Sequence, residues 1–292
     1  MKTGEIFKES MTMKKKKKFS KIALYVIIVL VGIGMLYPVV WMFCSAFKTN
    51  SEIFGSLKLL PSSFDPKPFI EGWKGIGKYS FAKYFINTFK IVVPTTIFTV
   101  ISCAVVAYGF ARFKFPGKKI LFAILIATLM LPNTVLIIPR YSLFNKLGWL
   151  NTYLPFYVPA ILACYPFFIF MLIQFMRGIP KELDESAYID GCSTFQTFTK
   201  ILLPLMKPAL FSAGLFQFLW TYNDFFNSLI YINSADKYPI SLALRTVLDA
   251  DANVQWGQIM AMAFVSVLPL MILFFVAQKY FVEGISTSGL KG

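Results

Sequence analysis

Residues 182–208 read ELDESAYIDGCSTFQTFTKILLPLMKP, the longest polar stretch of structured character between the apolar runs of the second half. Pro180 stands where a first helical turn would begin and where no N–H needs a partner. Lys181 to Asp190 contains neither Gly nor Pro, and Gly191 follows as a C′ residue free to take positive φ. A second start signal comes at once: Ser193 with Gln196 three residues on has the form of a capping box. Phe195, Phe198, Ile201, Leu202 and Leu205 then recur at helical spacing and make one apolar face. The stretch therefore predicts a short helix of roughly 15 Å, a sharp turn, and an amphipathic helix. A helix that short is a protruding knob and not a membrane span.

What flanks this knob is apolar. Of 292 residues, 57% are hydrophobic, 17% aromatic and only 15% charged, far from the usage of a soluble domain. Six runs are long enough to span a bilayer, with approximate cores at 22–44, 88–111, 120–138, 153–176, 209–231 and 257–281. Pro38, Pro94, Pro155, Pro159, Pro166 and Pro269 interrupt them, which packed membrane helices tolerate because neighbours re-satisfy the freed backbone groups. Barrel strands need only about 10 alternating residues, so run length excludes a β-barrel. The expected fold is all-α and polytopic: a basic N-terminus (1–21), a first span (22–44), a long loop (45–83), a core (84–284) carrying the polar loop 177–208, and a tail (285–292).

The run after Lys14–Lys18 extends to about Phe43 with no small-residue cleavage site behind it, so it reads as a retained first span and not as a signal peptide. With the N-terminus inside, the inner segments carry 18 Lys and Arg and the outer ones 10. Both termini and the 177–208 loop are thus expected in the cytoplasm. The formal charge of +15 is then accounted for by topology and anionic headgroups, and nucleic-acid binding is excluded as its reason. There is no histidine, which removes His-based metal sites and general bases. Cys44, Cys103, Cys164 and Cys192 have neither metal-ligand nor disulfide spacing and read as small buried residues. No metal site is expected. Gly72 to Lys78 has the G-x-x-x-x-G-K outline of a phosphate loop, but Tyr79 stands where Ser or Thr must bind Mg²⁺ and no apolar strand precedes it. The chain is therefore expected to hydrolyse no ATP itself.

Glu185-Ser186-Ala187, Asp190-Gly191, Ile201, Leu203-Pro204 and Pro208 resemble the EAA signature of ABC importer permeases, with Ser186 and Cys192 where Ala is usual. The basic turn Arg112 to Lys119 and the Leu147-Gly148-Trp149-Leu150-Asn151-Thr152 stretch are also similar to elements of sugar-type permeases, although a capped turn between spans would explain the latter as well. The ending, Gln278-Lys279-Tyr280-Phe281-Val282-Glu283-Gly284 followed by Ile285 to Gly292, resembles the tail of maltose-type permeases. That resemblance implies a type I permease fold for one subunit of a carbohydrate ABC importer. It further implies a second homologous permease subunit, two cytoplasmic ATPase subunits that bind ATP and Mg, an extracellular solute-binding protein, a sugar substrate and a lipid surround. No cofactor is expected on this chain. The loop would be the ATPase-coupling element. Glu185 and Gly191 would position it, Leu183, Ala187, Tyr188 and Ile189 would make buried contacts with the ATPase, and Ser186 and Asp190 complete the motif. Ser286, Thr287, Ser288, Gly289 and Lys291 would lie along the ATPase dimer.

Within the fifth span, Gln217, Thr221, Asp224 and Ser228 fall at i, i+4, i+7 and i+11 and predict one continuous polar stripe, flanked by Trp220, Asn223 and Asn227. Asp224 is the only acid inside any expected span, and such groups usually face a bundle interior or an aqueous path. The stripe suits a polyhydroxylated solute as well as it suits hydrogen bonding between two permease subunits. Two other functions compete with a sugar importer. One is an ABC permease for another polar solute, which the tail argues against. The other is an ion-coupled secondary transporter, which the absence of His and the single intramembrane acid argue against.

Overall fold

The computed structural model describes the backbone of residues 2–75, 78–250 and 254–288, and the side chains of 20–75, 78–246 and 254–278. Helices supply all the regular structure of these residues, as composition and run length predict. The chain forms two compact units, Met1–Gly72 with Gln255–Phe264, and Trp73–Val254 with Val265–Gly292.

The first unit holds α1 (Lys2–Ser45), α2 (Asn50–Gly55), most of α3 (Lys67–Lys74) and the opening turns of the last helix. The part of α1 from Ser20 to Ser45 has the hydropathy of a membrane span, and no residue of its most apolar window is buried. Such a surface requires lipid or another apolar partner around it. The 46–72 segment is ordered by a local cap, by ring contacts and by one bond to the last helix. Thr49 caps α2 by accepting from the Glu52 N–H, Trp256 donates its backbone N–H to Asn50 Oδ1 at 3.0 Å, and the Phe47 ring meets Phe64 and Phe69.

The second unit is built around α4 (Phe81–Arg112). After it come α5 (Lys118–Met130), α6 (Asn133–Lys146), α7 (Leu154–Ile161), α8 (Pro166–Arg177), α9 (Glu182–Ile189), α10 (Thr194–Gln196), a π-helical turn (Thr197–Leu202), α11 (Leu203–Leu205) and α12 (Lys207–Tyr222). The series closes with α13 (Phe225–Tyr231), a 3₁₀ turn (Ala235–Lys237), α14 (Ile240–Ala250) and α15 (Trp256–Ser288). Cys103, Ala104, Ala107 and Ala111 of α4 pack against Phe168, Leu172, Ile173 and Met176 of α8 and Ala209 and Ala213 of α12. Small residues on two of the three faces let the backbones approach closely, which substitutes for a hydrophobic driving force when the surroundings are themselves apolar.

Among the described residues, four helices are long and apolar enough to cross a membrane, or up to six spans if each of two bent pairs counts as one. The bends correct two of the expected spans, the third and the fifth. The run expected at 120–138 turns by 106° between α5 and α6. Leu131 precedes Pro132 and adopts ψ 122°, as steric clash with a following proline ring favours. The fourth span runs as expected over Leu154–Arg177, with a local irregularity between α7 and α8 where Ala163 takes φ +54°, three residues before Pro166. The fifth turns by 76° between Leu205 and Lys207 and stops again at Tyr222. Pro94, by contrast, leaves α4 continuous. It cannot donate to the Lys90 carbonyl, and the Tyr157 hydroxyl donates there instead at 2.5 Å.

The stretch 147–152 is a turn with more to do than join helices. Asn151 sits in the left-handed region at φ +56°. Its Oδ1 accepts from the Asn233 and Ser234 N–H groups at 3.2 and 3.0 Å, while its carbonyl accepts from Lys237 Nζ at 2.7 Å. From α4, Asn87 Nδ2 donates to the Asp236 and Tyr238 carbonyls at 2.8 and 3.0 Å, and Thr88 Oγ1 accepts from the Ile240 N–H. Segment 233–240 is thereby fixed at the Asn87 end of α4. Cys44 and Cys103 are buried, but Cys164 is exposed and Cys192 half-buried, so the reading of all four as buried holds for two.

Candidate functional site

The polar loop folds much as its local signals require. Asp190 and Gly191 end α9 with a Schellman motif: the Cys192 N–H donates to the Ala187 carbonyl at 2.9 Å and the Gly191 N–H to that of Tyr188 at 3.1 Å. Gly191 has φ +77°, and a Cβ there would meet nothing within 4 Å, so glycine is required for its backbone and not for space. Ser193 and Gln196 form the capping box, Ser193 N–H to Gln196 Oε1 at 2.8 Å and Gln196 N–H to Ser193 Oγ at 3.3 Å. The start of the loop differs by a turn residue: Lys181 is the N-cap of α9 and Pro180 lies just before it, giving a helix of 8 residues.

The amphipathic segment that follows is not a regular α-helix. Thr197–Leu202 is wound as a π-helix, which shifts the register of its apolar face. Phe198, Leu202 and Met206 are buried, whereas Phe195 and Leu205 point outward and Ile201 is half-buried. A face drawn with 3.6 residues per turn selects Phe195 and Leu205 and passes over Met206.

Of the motif residues, Leu183, Glu185, Ser186, Tyr188, Ile189, Asp190 and Gly191 are exposed. Tyr188 and Ile189 stand out at 81% and 84% exposure. Ala187 is only 3% exposed and packs into its own chain, so it leaves the set of expected partner contacts. Its small side chain allows α9 to seat against the π-turn.

Two residues that sequence reading passed over hold the loop in place. Arg112 ends α4 and reaches back: its Nη2 donates to the Ile179 carbonyl at 3.0 Å and its Nε lies 2.9 Å from Asp184 Oδ2. The second contact is a close ion pair without good hydrogen-bond alignment, since neither atom has a partner by angle. The arginine side chain is 6% and the aspartate 22% exposed. Burial lifts the Asp184 carboxyl above its ordinary range, and the Arg112 and Lys181 charges draw it back only in part. A desolvated pair of this kind fixes position more than it adds stability. One turn earlier, Tyr108 donates to the Thr194 carbonyl at 3.2 Å and stacks on Phe198, centroids 4.7 Å apart. Arg112 sits in the basic turn and Asp184 in the motif, but nothing in their spacing links residues 72 apart in the chain.

The stripe expected along the fifth span is not continuous. Alpha-helix α12 ends at Tyr222, and Asp224, with ψ 76°, is the N-cap of a separate helix α13. Asp224 Oδ1 accepts from the Asn227 N–H at 3.1 Å and Oδ2 from Asn227 Nδ2 at 2.8 Å, while Ser228 Oγ donates to the Asp224 carbonyl. Gln217 donates to Thr221 Oγ1 at 3.0 Å one turn below the break, and Asn223 donates to the Leu219 carbonyl. Trp220 is half-exposed and its ring packs on Phe167 and Phe168. Thus Gln217 and Thr221 share a face, and Asp224, Asn227 and Ser228 form a second cluster. Two cavities of about 350 and 430 Å³, around Ser102–Ile161 and around Lys48–Glu71, include none of these residues. Ser286, Thr287 and Ser288 fall on the last turn of α15 with side chains outside the described residues, and Gly289 and Lys291 lie wholly outside them. Among the described residues no group of His, Cys, Asp and Glu could hold a metal ion.

An apolar helical chain with a protruding, sharply turned helix is the outline of a transport permease. Residues 100–287 match the family described as binding-protein-dependent transport system inner membrane component, and the chain belongs to it, as a membrane-embedded permease subunit of an ABC importer. It is 35% identical over 280 residues to a probable ABC transporter permease protein, YurM, of Bacillus subtilis, covering 96% of this chain and 91% of that one. Over 287 residues it is 29% identical to the trehalose/maltose transport system permease protein MalG of Thermococcus litoralis, covering 95% and 99%. Among solved structures, a bacterial ABC transporter that imports the acidic polysaccharide alginate superposes with a TM-score of 0.80 at 22% identity, covering 90% of this chain and 97% of that one.

Proposed function

We propose that the chain moves a sugar or oligosaccharide into the cell by alternating access, beside a second homologous permease subunit and above two cytoplasmic ATPase subunits. The observation that carries this reading is α9, a short helix locked by a Schellman turn whose terminal Tyr188 and Ile189 stand almost fully exposed. Exposed apolar side chains on a rigid knob are anchors for a groove in a partner. ATP and Mg belong to the ATPase subunits in this scheme, since the phosphate-loop outline at 72–78 lacks its hydroxyl. Closure of the ATPases on ATP draws the coupling helices together and opens the solute path toward an extracellular binding protein. Both termini then lie in the cytoplasm, where the 285–292 tail meets the ATPase dimer. The sugar class rests on the similar tail and on relatives named for trehalose, maltose and alginate transport.

The test is made on the complex co-expressed with its ATPase subunits. Ile189→Asp is expected to abolish co-purification of the ATPase while the permease remains in the membrane. Retention of the ATPase at the wild-type ratio would reject α9 as the docking element. Uptake of labelled maltose and trehalose into proteoliposomes, in competition with amino acids, tests the substrate class.

A further inference from the structure

We infer that Arg112, seconded by Tyr108, is the positioning residue that makes the coupling loop and α4 one rigid body. The inference rests on α9 being the docking element. The loop has two limbs that meet at the Gly191 turn, and the Schellman bonds fix that turn but not where either limb lies against the spans. Both limbs are held by the last two turns of α4. Arg112 takes the first limb, through the Ile179 carbonyl and the Asp184 carboxylate. Tyr108 takes the second, through the Thr194 carbonyl and the face of Phe198. The guanidinium suits this task because its planar fork reaches two acceptors at once, which the point charge of lysine does not.

The consequence is directional. A push on α9 reaches α4 directly through Arg112 and again through the π-turn, on which α9 packs and which Tyr108 also grips. Helix α4 has 32 residues, about 48 Å of rise, and its one proline is braced by Tyr157. A displacement at Arg112 is carried along it without a hinge to Asn87 and Thr88, which hold segment 236–240.

Spin labels at Glu182→Cys, on the first turn of α9, and Ile101→Cys, both exposed positions, report the loop against α4 in the assembled complex. The background replaces Cys44, Cys103, Cys164 and Cys192 with alanine. The wild-type pair is expected to show one narrow distance, the same without nucleotide and after trapping with ATP, Mg²⁺ and vanadate. Arg112→Lys is expected to broaden it about twofold, because both contacts cannot be kept. Tyr108→Phe, which loses only one hydroxyl, should broaden it less. A wild-type distance that changes on trapping by a helical turn, about 5.4 Å, would overturn the proposal. An unbroadened Arg112→Lys would do so as well. Failure of the docking assignment itself shows separately, as retained ATPase in the Ile189→Asp complex.

Discussion

The loop 177–208 and the segment 217–228 are both polar stretches in an apolar chain, and both were expected to be helical. One folds nearly as its residues say and the other does not. The loop is governed by neighbours: Ser193 caps Gln196 three residues on, and the turn at Gly191 is closed by Gly191 bonding three residues back and Cys192 five back. The other segment is governed by a break. A period of 3.6 places Gln217, Thr221, Asp224 and Ser228 on one face only if the helix continues, and it ends at Tyr222. Asp224 is then not a lone charge on a membrane helix but the cap that starts the next one. Intramembrane acids are expensive because they lack partners, and capping supplies partners within three residues.

The sharpest way to break this comparison is at the tip of α9, where Ile189→Asp should cost ten times or more of ATPase retention, measured as subunit ratio in purified complex; an unchanged ratio removes the loop's claim to function. Gly191 comes next. Leucine there meets no atoms but must hold φ +77°, a penalty of about 1–2 kcal/mol for an L-residue. Solute transported per ATP should drop several-fold in Gly191→Leu and stay near normal in Gly191→Asn, since asparagine tolerates the left-handed region. Equal loss in both would mean that the side chain and not the backbone matters.

The polar segment is then tested at Asp224. Replacing a cap residue with alanine costs about 1 kcal/mol, whereas asparagine caps nearly as well. If capping is its whole role, Asp224→Ala lowers the melting temperature of the complex by a few degrees and Asp224→Asn leaves both stability and uptake unchanged. Altered uptake in a stable Asp224→Asn complex would restore it to the solute path. The smallest effect is expected at Ser193→Ala, which removes one exposed cap bond worth roughly 0.5–1 kcal/mol. It should be visible as faster amide exchange over 194–196 and should leave transport within error of wild type.

The contrast extends to residues that no pattern picked out. Arg112 and Asp184 are each ordinary in their own surroundings, one in a basic turn and one in the first turn of a short acidic helix. Asn151 reads as part of a turn, and it is one, but its four hydrogen bonds to residues 233–237 depend on where that later segment comes to lie.

By itself the sequence determined the class of fold, the number of apolar runs and the caps and turn of the loop 177–208. Hydropathy, capping residues and a left-handed glycine act within a few residues and need no tertiary information. Only the tertiary structure decided where the apolar runs bend and which side of the π-wound segment is buried. It also decided that Ala187 faces inward and that α4 holds both limbs of the loop. These depend on how proline-freed carbonyls are re-satisfied and on which distant side chain arrives to do it. Tyr157 reaching Lys90 and Arg112 reaching Ile179, each 67 residues away in the chain, are contacts that no local rule contains.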